Sequence, residues 1–119
     1  MDRQPCVYLL ASGRNGTLYL GVTSNLVQRV WQHRTSAVDG FSARYATHYL
    51  VWFELHETMA SAILREKRIK KWNRDWKVRL VDETNSSWRD LWPDITEQVP
   101  TAKETLNNSP DVGDNSATR

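Results

Sequence analysis

The chain has 119 residues, carries 16 Lys and Arg against 14 Asp and Glu for a net charge of +2, and contains one cysteine, Cys6. This length bounds it at one domain plus a tail, with a modest core, and a single cysteine excludes an internal disulfide, in keeping with a reducing compartment. The N-terminal MDRQPCVYLL lacks the basic-then-long-apolar pattern of a signal peptide, and no apolar run approaches a membrane span, so the expectation is a cytoplasmic protein with no membrane partner.

The net charge hides an asymmetry. Residues 1–94 hold 14 basic against 10 acidic side chains, whereas residues 95–119 hold 2 against 4. Between Arg65 and Arg79, eight basic residues face two acids within 15 positions. A patch of that density attracts polyanions, nucleic acid first, although a charge run is also what any solvated helix face looks like.

In chain order, CVYLLAS and TLYLGV are apolar, β-prone runs separated by GRNG, whose Asn-Gly pair signals a turn, so the first element reads as a β-hairpin. Alternation along the strands puts Tyr8 and Tyr19 on one face and Leu9, Ala11, Leu18, Leu20 and Val22 on the other. Gly21 follows in the second strand, where glycine often marks a close approach of backbone or ligand. TSNLVQRVWQHRT reads as a short helix with Asn25 as N-cap and Gln28 placed as in a capping box. Its apolar arc is Leu26, Val27, Val30 and Trp31, with Arg29 and His33 half-buried at the edge of that arc.

SAVDGFSARYATHY is a polar connection with one glycine and two aromatics. YLVWFELH, Tyr49 to His56, is a third strand. TMASAILREKRIKKW is a helix capped by Thr58 and rich in helix formers, DWKVRLVDE reads as a second helix, and NSSWRDLWPDI closes the domain with Trp88 and Trp92 as packing anchors. From about Glu97 the chain has almost no large apolar residues and reads as a disordered polar tail. The expectation is a domain over 1–94 and a tail over 95–119. The fold class is α/β: a small three-stranded antiparallel sheet in β-β-α-β-α-α order, flanked by helices and without repeats.

Glu66 stands out. On a helix of 3.6 residues per turn it shares a stripe with Met59, Ala62, Ile63 and Ile69, and so points into the domain. An inward carboxylate is costly unless paired or bound to a cation. Two readings follow: a salt bridge to Arg29 or another inward arginine, or a metal ligand in a site that also handles phosphate.

Taken together, these residues resemble the GIY-YIG endonucleases. The first signature triplet aligns with Cys6-Val7-Tyr8 and the second with Tyr19-Leu20-Gly21; the family arginine falls on Arg29, eight residues after Gly21, the following His or Tyr position on His33, and the catalytic glutamate on Glu66. The likeness is greatest to small stand-alone bacterial members, whose nuclease domain is like that of excision repair. Their further segments are matched by Gly40-Phe41-Ser42, Arg65 to Trp72 and Trp88 to Leu91, and the resemblance covers about residues 5–94. Cys6 stands where the first glycine is usual, Val22 where some members carry Lys or Ser, and the family's late asparagine has no counterpart at the usual distance from Glu66.

The resemblance implies hydrolysis of phosphodiester bonds, in DNA first, with one Mg²⁺ or Mn²⁺ on Glu66. It implies Arg29 on the scissile phosphate, Tyr8 as general base with Tyr19 as its positioning partner (or the reverse), and His33 bonded to a tyrosine or the phosphate. Gly21 is assigned a structural part. Lys67, Lys70, Lys71, Arg74 and Lys77 would track the nucleic-acid backbone without reading its sequence, and no major-groove reading module is visible. The chain would act as a monomer, with a protein partner as one source of specificity. One Cys and three scattered His give no zinc spacing. The alternatives are a non-cleaving nucleic-acid-binding module of the same fold, or a protein-interaction domain using the six tryptophans. Steep salt dependence of DNA binding separates the last from the other two.

Overall fold

β1 (Cys6–Ala11) runs through the middle of a three-stranded antiparallel sheet of order β2-β1-β3, with β2 at Leu18–Thr23 and β3 at Tyr49–Leu55. The computed structural model describes residues 3–35 and 47–96. The Gly40-Phe41-Ser42 segment with most of its polar connection, and the tail from 97 onward, lie outside the described residues. The helices are α1 (Leu26–Arg34), α2 (Met59–Lys70), α3 (Arg74–Thr84) and a short α4 (Trp92–Thr96), so the described order is the expected one extended by one closing turn. Among the described residues no helix is long and apolar enough to cross a membrane.

β1 is buried at all six positions because both faces of the sheet are covered. Its even residues look toward α1 and α4: Tyr8 and Leu10 join Val30, Leu50 and Ile95, with Tyr19, Leu26, Phe53, Leu91 and Trp92 packed around them. Its odd residues look the other way: Val7, Leu9 and Ala11 join Ala62 and Ile69 of α2, Val81 of α3, and Trp88. Truncating a side chain such as Leu9 to alanine in this two-sided core costs about 2–5 kcal/mol. A bulge lies in β3, since Leu9 pairs with Trp52 and Leu10 with Leu50, leaving Val51 unopposed. This extra residue lets Val51 and Trp52 enter the same core although they are neighbours in sequence.

Side-chain caps fix where the helices start. The Asn25 side chain accepts from the Gln28 amide at 3.2 Å, Thr58 from Ser61 at 3.1 Å, and Asn73 from Trp76 at 3.0 Å. In the hairpin turn the left-handed conformation falls on Asn15 (φ 56°), a residue type that tolerates it, and not on either glycine. Asp90 ties three elements together. Its carboxylate accepts from Arg34 at 2.7 Å, from the Leu50 amide at 3.2 Å and from the Trp92 amide at 3.1 Å.

Two expectations about helix faces are corrected. Trp31 and Val27 are exposed and His33 is fully buried, so α1 turns Leu26, Val30 and His33 inward and carries its tryptophan outward. On α2, Ala62 and Ile69 are buried but Ile63 is exposed and Glu66 is only half-buried, at the rim of the core.

Candidate active site

The site grows from the hairpin. Tyr8 pairs with Gly21 and Tyr19 with Leu10, which puts the two phenols diagonally on the α1 face with ring centroids 6.4 Å apart and planes tilted by 31°. A Cβ on Gly21 would collide with the Tyr8 ring and hydroxyl. The close approach read from this glycine is therefore that of a neighbouring side chain: Tyr8 lies across the bare Gly21 backbone.

α1 brings the next two groups, one turn apart. His33 is buried, with Nε2 3.2 Å from the Tyr8 hydroxyl and its ring centroid 4.8 Å from that of Tyr19. Its main-chain carbonyl accepts from Nδ1 of His48 at 3.0 Å, which anchors the end of the helix. Arg29 is half-buried; one guanidinium nitrogen donates to Gln32 Oε1 at 3.3 Å, and the group also hydrogen-bonds both tyrosines. These phenols, Tyr8 first, hold the guanidinium above its ordinary value. For Tyr8 the balance goes the other way from what a free base needs. Burial pushes its phenol far above the usual tyrosine range, and the hydrogen bond from Arg29 recovers only part of that.

The third contribution comes from the opposite side of the sheet. An open cavity of about 540 Å³ runs along edge strand β2 and is lined by Tyr8, Tyr19 and Arg29 from one face, by Leu18, Leu20 and Val22 from the other, and by Glu66, Lys70 and Lys77 from α2 and α3. Glu66 and Lys70 are one helical turn apart and so share this wall. Among the described residues no ion pair involves Glu66; the arginine before it, Arg65, is the one that pairs, with Glu54 at 3.1 Å. The salt bridge to Arg29 that the sequence allowed is not formed. No three His, Cys, Asp or Glu side chains cluster as a metal cage among the described residues, which leaves Glu66 as the carboxylate in the cavity wall.

The remaining basic candidates separate. Lys70 and Lys77 line the cavity, whereas Lys67 and Lys71 are exposed outside it. Arg74 is engaged: one guanidinium nitrogen donates to the main-chain carbonyls of Asn15 at 2.7 Å and Gly16 at 2.9 Å, which pins the hairpin turn to the start of α3. Gln32 was not anticipated, and the signal for it was present, since it lies three residues after Arg29 and so on the same helical face.

Residues 4–79, more than half of the chain, match the family described as the GIY-YIG catalytic domain. The UPF0213 proteins of Staphylococcus aureus strains Mu3, Mu50 and N315 are each 32% identical to the chain over 69 residues, a stretch covering 58% of this chain and 84% of each of them. No solved structure matches the chain significantly. With two tyrosines on one hairpin face, an arginine and a histidine one turn apart on the next helix, and a glutamate on the far wall, the chain belongs to the GIY-YIG family.

Proposed function

We propose that the protein is a metal-dependent endonuclease that hydrolyses phosphodiester bonds in DNA at the cavity along β2. The observation that carries this reading is the wall itself. Glu66, a carboxylate with no ion pair among the described residues, faces the same open space as two tyrosines and the cations Arg29, Lys70 and Lys77. Cations in that number suit a phosphodiester, and a pure binding surface has no use for an acid among them.

The donor set fits a hydrated divalent ion. Mg²⁺ keeps several waters and is commonly held by one or two carboxylates together with substrate phosphate, so one carboxylate, Glu66, is enough to hold it or Mn²⁺. Bound there, the ion supplies Lewis-acid stabilisation of the charge developing on the phosphoryl oxygens. Arg29, always charged and planar, binds and orients the scissile phosphate.

Tyr8 takes a proton from the attacking water. Because burial keeps its phenol protonated at neutral pH, Tyr8 can accept only as it gives up its own proton, and the acceptor within reach is Nε2 of His33 at 3.2 Å. The proton that Tyr8 gives up thus passes to the His33 ring. Tyr19 stands at the cavity beside both rings and positions Tyr8 and the water. Lys70 and Lys77 hold the flanking backbone, giving salt-sensitive, sequence-blind binding.

The test is incubation of labelled single-stranded, duplex and branched DNA with Mg²⁺ or Mn²⁺, using the wild-type protein and Glu66→Ala. Metal-dependent products that disappear in the variant support the reading. Binding of every substrate with no cleavage by the wild type would replace it with a non-cleaving binding module.

A further inference from the structure

The basic run does not end at the cavity. Where α2 passes into α3, Lys70 and Lys77 turn toward the cavity while Trp72 and Trp76 turn away from it and line a second hollow of about 200 Å³ with Arg79, Leu80 and Glu83. Trp76, Arg79, Leu80 and Glu83 are spaced i, i+3, i+4 and i+7 and so form one stripe of α3. In a core helix such a stripe lies under another element, but here Trp76 remains 52% exposed.

The aromatic pair is held in place before anything binds. Trp72 and Trp76 meet edge to face, with centroids 5.8 Å apart and planes at 77°. The Arg65 guanidinium lies 5.4 Å from the centre of the Trp72 ring, and is itself fixed by Glu54 through Nε at 3.1 Å and a terminal nitrogen at 3.4 Å. The Asn73 cap fixes the backbone of Trp76. A large flat ring is thus kept in water on a rigid support, with eight basic residues against two acids between Arg65 and Arg79. That charge favours a polyanion over a protein partner, and exposed aromatics among cations are how proteins stack the bases of unpaired strands.

We infer that the Trp72–Trp76 hollow takes an unpaired nucleobase of the strand whose backbone passes Lys70 and Lys77, which makes single-stranded or flapped nucleic acid the favoured substrate. This rests on the nucleic-acid reading of the neighbouring cavity. A base inside a duplex keeps both faces stacked and has none to offer Trp76. Glu83 at the wall accepts from an exocyclic amine and Arg79 donates to a ring nitrogen or carbonyl, so the hollow suits a base edge as well as a base face.

The experiment is binding by fluorescence anisotropy, without divalent metal so that nothing is cut. The probes are a labelled single strand, the same strand with abasic sites, and a duplex. Wild type is expected to bind the base-bearing strand more tightly than the abasic one. Trp76→Ala is expected to lose roughly five- to hundredfold on the base-bearing strand and little on the other two, and Trp76→Phe to keep most of the affinity. Equal binding of the base-bearing and abasic strands by wild type overturns the inference, and it does so without any variant having to fold. Equal affinity of wild type and Trp76→Ala for the base-bearing strand overturns it as well, and returns the hollow to some other partner. Either result with Glu66-dependent cleavage intact leaves the nuclease reading standing, whereas base-dependent binding without cleavage sinks the nuclease reading alone.

Discussion

Gly21 sits directly across the sheet from Tyr8, and the Tyr8 ring occupies the space where a side chain on Gly21 would be. The glycine therefore acts through its neighbour: it lets the phenol lie against the strand, within reach of His33 and Arg29.

Gly21→Ala is expected to push the Tyr8 ring away from His33. Overpacking of this kind costs about 1–3 kcal/mol of stability, and misplacing a reacting group by about 1 Å costs on the order of a hundredfold in rate. Gly13→Ala is the matched control, because a Cβ there meets nothing within 4 Å. Cleavage rates and melting temperatures of the two variants, measured side by side, check both effects.

Stability should fall at alkaline pH, beginning with Cys6. Burial raises its thiol from 9.0 to about 11. Below pH 9 both the folded and unfolded chains hold this proton, and the stability it contributes is fully present. As the pH rises toward 11 the unfolded chain releases the proton and the folded chain does not, so stability declines by up to about 1.4 kcal/mol per pH unit. Tyr8, raised in the same direction, extends the decline upward. Urea unfolding just below pH 9 and near pH 11 measures the slope, and Cys6→Ala should reduce it in that window, most clearly below pH 10 where Tyr8 does not yet contribute.

The basic residues should divide by what they touch. Lys70→Ala and Lys77→Ala should each lower the salt slope of DNA binding by about one with unchanged melting temperature. Arg74→Ala removes both hydrogen bonds to the hairpin turn and should lower the melting temperature by a few degrees. Salt titrations of binding and thermal melts on the same samples separate the two groups.

Much of this was legible in the sequence because it depends on short-range periodicity. Alternation in CVYLLAS and TLYLGV fixed which face Tyr8 and Tyr19 share, and Asn25 and Thr58 marked where two helices begin. What was not legible depends on how elements meet. Hydrophobicity puts Trp31 in the apolar arc of α1 and His33 at its edge, but the buried position goes to His33, because Tyr8 offers it a hydrogen-bond partner inside the core. The stripe that Glu66 shares with Ile63 points it into the domain. The helix instead lies at the rim of β2, which leaves Ile63 exposed and Glu66 facing open space. The bulge at Val51, the grip of Arg74 on the hairpin turn and the three bonds of Asp90 all join segments distant in sequence, and no local pattern announces them.

We propose that Glu66 holds the metal on which cleavage depends. The most direct test is the single-turnover cleavage rate of a labelled DNA strand across a Mg²⁺ titration, for wild type and for Glu66→Gln, which keeps the shape and loses the charge. The wild-type rate is expected to saturate with Mg²⁺, and the variant rate to be lower by about a thousandfold or more at every concentration. A variant that cuts at the wild-type rate, with the same Mg²⁺ dependence, would contradict it.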